Sequence, residues 1–208
     1  MPSRTKSLTD VVFRPGDILM WSGRGCASRS IALGTGTIGW KLRGRLFSHM
    51  SILACEPGGP RVCNWESTTF CNIPCRIRGT VVSGVQCHDP YLEIVRFNGS
   101  VWLMRPVQAL TEEKASALTA WLYNAIGTPY DYWQAGLAWT PHWVKRIGLL
   151  DADQTTLFCD ETVAFALKAI DVGPRSINPS KLTPAWYAWF LCHTATYRQP
   201  EKIWGGPR

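Results

Sequence analysis

Phe47-Ser48-His49-Met50-Ser51-Ile52-Leu53-Ala54-Cys55 runs into Glu56-Pro57-Gly58-Gly59-Pro60, and a second apolar stretch carrying Trp65-Glu66-Ser67 follows. Two strand-like runs around a Pro-Gly turn are the pattern of a β-hairpin. With a period of two, Phe47, His49, Ser51 and Leu53 share one face, and Ser48, Met50 and Ile52 share the other. Folding at 56–60 brings positions 49 and 66 into approximate register. An imidazole and a carboxylate are therefore expected near each other on one hairpin.

Upstream, Arg14-Pro15-Gly16-Asp17 reads as a turn into the buried strand Ile18-Leu19-Met20-Trp21. The Gly- and Arg-rich segment 22–46 reads as a long loop, with a short helix near 30–33. Downstream, short strands are expected near 79–86, 91–97 and 101–105. The period then changes. Ala115, Leu118, Trp121, Leu122, Ala125 and Ile126 follow helical spacing. Thr111 suits the N-cap, Glu112 and Glu113 suit the first turn, and Gly127 with Pro129 marks the end. Residues 131–157 read as irregular and Trp-rich. A second helix is expected over 159–170, stopped by Gly173-Pro174, and a short one over 184–192. Strands followed by helices predict an α+β fold with an antiparallel sheet. The expected organisation is an arm over 1–12 and a single domain over 13–208, with a cysteine-rich segment at 55–87.

The chain has 208 residues, 46% of them hydrophobic, which excludes global disorder. Only 18% are charged and eleven are Trp, a surface suited to docking on a protein assembly partner. The +7 net charge favours polyanions such as an anionic cell envelope. Apart from a modest cluster at Lys41, Arg43 and Arg45, the basic residues are scattered, so nucleic-acid binding is not expected. No apolar run reaches the roughly 18 residues of a membrane span. The N-terminus has no apolar core of a secretory signal, which predicts a protein cytoplasmic at synthesis.

Of the eight cysteines, Cys55, Cys63, Cys71, Cys75 and Cys87 fall in one segment without a C-x-x-C pair, alongside Cys26, Cys159 and Cys192. That spacing supports reduced, mostly buried thiols over a zinc or iron–sulfur site. His88 reads as a turn cap rather than a metal ligand, and His142 and His193 as packing or surface residues.

Cys159 opens a helix in Phe158-Cys159-Asp160-Glu161-Thr162, where backbone N–H groups and the helix dipole favour a thiolate. Asp160 and Glu161 oppose that effect, so a base is needed. His49 supplies the imidazole that takes a thiol proton, and Glu66 is placed to orient it. Cys159 is on this basis the thiol expected to be most nucleophilic.

Five motifs then stand in order: Gly16-Asp17-Ile18-Leu19, Phe47-Ser48-His49-Met50-Ser51-Ile52, Trp65-Glu66-Ser67-Thr68, Gly127-Thr128-Pro129-Tyr130-Asp131-Tyr132, and Phe158-Cys159-Asp160-Glu161-Thr162-Val163. This order resembles the circularly permuted branch of the NlpC-type papain-like cysteine peptidases, which includes the YiiX-like amidohydrolases and is related to lecithin–retinol acyltransferase. The resemblance covers about residues 12–187 as short motifs. It implies a papain-like α+β fold, an antiparallel sheet packed on a helix that bears the nucleophile. It implies Cys159 as nucleophile, His49 as general base, Glu66 as orienting residue and Tyr130 as a substrate-binding residue. Asp17 is implied as a turn or cap. The chain departs from the family at Asp160, where the family has Ser, and in the cysteine-rich segment.

The activity implied is amide hydrolysis through an acyl-enzyme with no cofactor and no catalytic metal, on a peptide of bacterial peptidoglycan. Delivery to the envelope as a phage virion component or a secreted effector is the corresponding expectation. An amidase or acyltransferase on lipid-linked substrates, and a structural component such as a phage tail tip, are the alternatives.

Overall fold

A computed structural model gives the architecture over residues 8–25, 47–69, 71–132, 155–173 and 177–205. The expected loop beyond Gly25 and its short helix, Cys26, the Lys41–Arg45 cluster, His142 and most of the Trp-rich segment lie outside those residues. The hairpin forms as its pattern predicts: β2 (His49–Cys55) pairs antiparallel with β3 (Val62–Thr68) around the Pro-Gly turn. With β1 (Ile18–Gly23), β4 (Gly84–His88), β5 (Gly99–Met104) and β6 (Glu201–Gly205) they make a six-stranded sheet. Its order is β4-β3-β2-β1-β5-β6, and every neighbouring pair is antiparallel.

Segment 91–97 is not a strand. Pro90–Arg96 forms a short helix, α1. Asp89 caps it by accepting from the backbone N–H groups of Tyr91 and Leu92, and Pro90 takes the first helical position. A cap and a Pro in that arrangement outweigh the strand-like composition of Tyr91-Leu92-Glu93-Ile94-Val95. Asp89 is thus the cap that was expected of His88. The strand expected at 79–86 starts later and includes Cys87 and His88. Strand β6 has no counterpart among the expected strands.

Helix α2 (Glu112–Ala125) starts at Thr111, whose hydroxyl accepts from the Lys114 N–H. Helix α3 spans Cys159–Ala169 and α4 spans Pro184–His193. These three helices bury Leu118, Leu122, Val163, Ala166, Leu167, Ala185 and Leu191 against one face of the sheet. That face presents Ile18, Met20, Met50, Ile52, Cys63, Trp65 and Cys87. The fold is therefore mixed α+β, an antiparallel sheet packed against helices.

The opposite face is covered by α1 and by residues 8–13. Leu19, Trp21, Leu53, Val101 and Leu103 pack there with Val11, Phe13, Ile94 and Ile203. The described part of the N-terminal segment is tied down, with Tyr91 Oη donating to the Val11 carbonyl and Arg105 to that of Val12. Cross-strand partners share a face. Leu53 lies opposite Asn64, Asn64 opposite His88, and Glu66 opposite Gln86. The α1 face thus carries His49, Asn64, Glu66, Gln86 and His88, a polar strip of which all but His49 are fully buried. Buried polar groups need partners, and the partners they find build the site.

The cysteine-rich segment runs through β2, β3 and β4 and includes the connection between β3 and β4. Cys63 and Cys87 sit in β3 and β4, and the Cys87 N–H points at the Cys75 sulfur. The cysteines among the described residues are all free thiols.

Candidate active site

The hairpin places His49 at the start of β2 and Glu66 near the end of β3. The register puts Ile52 opposite Trp65, so Glu66 is diagonal to His49 and shares its face. Nε2 of His49 meets Oε2 of Glu66 at 2.6 Å. With the carboxylate ionised, the proton sits on Nε2 and leaves Nδ1 with its lone pair. Trp21, opposite His49 in β1, packs beside the imidazole and is fixed by its Nε1–H bond of 2.8 Å to Ser51.

Glu66 itself is held from behind by Glu93, a residue with no signal in the sequence pattern. Glu93 projects from α1, accepts from the Asn64 amide at 2.7 Å and hydrogen-bonds Glu66. Burial raises both carboxyls, Glu66 to about 7 and Glu93 well above the usual carboxylate range, and their mutual contact lowers Glu66 while raising Glu93. One proton is therefore held between them, on Glu93, and Glu66 is the partner that keeps the charge. Burial lowers His49 to about 4, opposed by the nearby acidic groups Glu93 and Asp160. The resting imidazole is neutral.

Cys159 is the first residue of α3. Its N-cap, Phe158, has no side-chain acceptor, and Glu161 reaches back instead to accept from the Phe158 N–H at 2.9 Å. Ser67 of β3 donates to the Leu157 carbonyl at 2.6 Å, which pins the helix start to the hairpin. Burial and then Asp160 push the Cys159 thiol well above its ordinary value, and the N–H groups of Met50 and Asp160 push the other way. This corrects the expectation of a thiolate poised by the helix terminus. Cys159 is 1% exposed and rests as a thiol. Among the described residues no hydrogen bond joins it to His49.

Cys159, His49, Glu66 and Tyr130 all line one cavity of about 560 Å³, together with Trp21, Ser48, Ile73, Glu93, Arg96, Phe97 and Phe158. Tyr130 is positioned by the loop after α2. Gly127 N–H donates to Val85 O, and Val85 N–H to Thr128 O. Tyr130 then bridges to Leu157 and packs edge-on against Phe158.

Asp17 stays out of the cavity. Its carboxylate accepts from the Arg14 N–H at 3.0 Å, the turn role expected of it. His193 stacks on Trp189. His88 is fully buried, and its ring nitrogens make no hydrogen bond of ordinary geometry, only a looser one to the Pro74 backbone. It lies beside Glu66 and Cys71, and one donor atom from each of the three falls within 4.8 Å of the others. Sequence spacing concealed this trio because two strands and a loop, not a tight motif, bring it together.

No family model matches the chain, and no curated protein matches it in sequence. Among solved structures, the metalloprotein yiiX from Escherichia coli O157:H7 is similar, with a TM-score of 0.54 and 16% identity. The alignment covers 93% of this chain and 98% of that one. At that identity the likeness is one of architecture: the chain has a YiiX-like fold.

Proposed function

We propose that the chain is a cysteine hydrolase of the permuted papain-like type, cleaving an amide bond through Cys159, His49 and Glu66. The observation that carries this reading is an imidazole fixed by a buried carboxylate at 2.6 Å, lining the same cavity as a thiol at a helix N-terminus. The free Nδ1 of His49 takes the Sγ–H proton as sulfur attacks the carbonyl carbon, since a resting thiol must lose its proton during attack. Catalytic hydrogen bonds commonly tighten only with substrate bound, so the resting thiol–imidazole gap is compatible with this step. The C–N bond breaks as the imidazolium returns the proton to the leaving amine. Water then hydrolyses the thioester with His49 again as base. Glu66 stabilises the imidazolium and fixes its tautomer. Tyr130 contributes to the substrate wall, and the start of α3 offers N–H groups to the developing oxyanion.

The substrate proposed is a peptide of bacterial cell wall, in line with the motif resemblance and the +7 charge. Delivery to the envelope would be by a virion or a secretion apparatus; no described helix is long and apolar enough to cross a membrane. A second reading, a lipid-linked amide, is favoured by the apolar walls Trp21, Ile73, Phe97, Tyr130 and Phe158. Incubation with purified peptidoglycan and with N-acyl lipids, read by mass spectrometry, separates the two. New peptide amines and carboxylates that are absent with Cys159→Ala are expected. Unchanged products with Cys159→Ala would overturn the assignment.

A further inference from the structure

We propose that Glu66, Cys71 and His88 form a binding site for a thiophilic divalent cation of the zinc type, set in the wall of the cavity. Glu66 comes from β3, Cys71 from the connection that follows it and His88 from the end of β4. Their three donor atoms lie within 4.8 Å of one another. Zinc bonds of about 2.0–2.3 Å place tetrahedral donors roughly 3.3–3.8 Å apart, so side-chain movement of about an ångström closes the set.

The second observation is His88. It is 0% exposed, and neither ring nitrogen makes a hydrogen bond of ordinary geometry, only a looser one to the Pro74 backbone; a buried polar group so weakly partnered is costly. Its Nε2 stands 3.9 Å from Glu66 Oε1, too far for a hydrogen bond and on the side of the carboxylate away from His49. A cation shared by the two would satisfy the imidazole.

One thiolate, one imidazole and one carboxylate suit zinc. Magnesium and calcium want oxygen throughout. Glu66 and Cys71 line the cavity, so an ion can enter from it, and a fourth position is left to solvent. Oε2 of Glu66 stays with His49 while Oε1 serves the ion. Any effect on turnover rests on the hydrolase reading; binding itself does not.

The test is titration of chelator-stripped protein with cobalt(II), a spectroscopic stand-in for zinc. One equivalent should bind, with a thiolate-to-cobalt charge-transfer band and release of the Cys71 proton to solvent. Losing even an outer-shell partner typically weakens metal binding about 10–100-fold. Loss of a ligand in His88→Gln should therefore weaken cobalt by about 100-fold or more. Cys71→Ser should abolish the band with the fold intact by circular dichroism. Cys75→Ala and Cys159→Ala should keep both band and affinity, so the site can stand or fall independently of the nucleophile. Absence of binding by folded protein, or a band that survives Cys71→Ser and vanishes in Cys75→Ala, would overturn the proposal.

Discussion

Glu66 meets three groups at once: His49 in front, Glu93 behind and His88 to the side. The first contact was legible because a strong turn fixes the hairpin and period two fixes the face. Glu93 was not, since it reaches Glu66 only when α1 folds back over β3, a tertiary event without local signature. Two outcomes follow at this scale. His49 must be neutral to accept a proton, and burial lowers it to about 4 from 6.5. The acid limb of kcat/KM should therefore fall with an apparent pKa below 6.5. A limb at or above 6.5 in a pH–rate profile would contradict the buried, neutral base. Glu93 acts as a positioning residue, donating to Glu66. Glu93→Leu should lower kcat with little change in KM, and Glu93→Gln, whose amide still donates, should recover most of the rate.

At the scale of elements, the site depends on how α3 and the loop before Tyr130 dock on the hairpin. The order β1, β2, β3 and then α2, α3, α4 was readable from the switch between periods two and 3.6. The misreadings have a common cause. α1 has only seven residues, too short to express a helical period, and its identity lies in the Asp89-Pro90 start. β6 is an exposed edge strand whose Glu201-Lys202-Ile203-Trp204 shows too little alternation to stand out. Gly84 ties the elements together. It has φ +108°, and a Cβ there would collide with the Thr128 carbonyl. Gly84→Ala should destabilise the protein by about 2 kcal/mol or more, through strain at positive φ and displacement of the 127–130 loop. Urea unfolding measures this, and activity should fall with it because Tyr130 moves. A wild-type midpoint would mean the loop yields freely.

For the whole molecule, the two faces of the sheet divide the work. The helical face is nearly all apolar and supplies cohesion; the α1 face buries the polar strip that builds the site. Composition alone conveyed a full core but not this division, which needs the strand order. Asp17 belongs to the cohesive frame. Its carboxylate closes the Arg14 turn, its carbonyl accepts from Leu53 N–H, and the adjacent Gly16 carbonyl accepts from Tyr197 Oη near the far end of the chain. Burial raises its pKa from 3.8 to about 6, with the Arg14 N–H and then the charges of Arg105 and Arg14 opposing. The folded state then holds a proton that the unfolded state has released between those values. The stability owed to this group is therefore greatest below pH 3.8 and declines as pH rises to about 6. Asp17→Asn keeps an acceptor for the Arg14 N–H and has no proton to lose. The difference in unfolding free energy, variant minus wild type, should grow in the variant's favour between pH 4 and 6, by on the order of 1–3 kcal/mol, and level off above. Denaturation curves at stepped pH read it directly. A difference that stays constant with pH would mean that Asp17 is ionised throughout and that the two arginines, not burial, set its state.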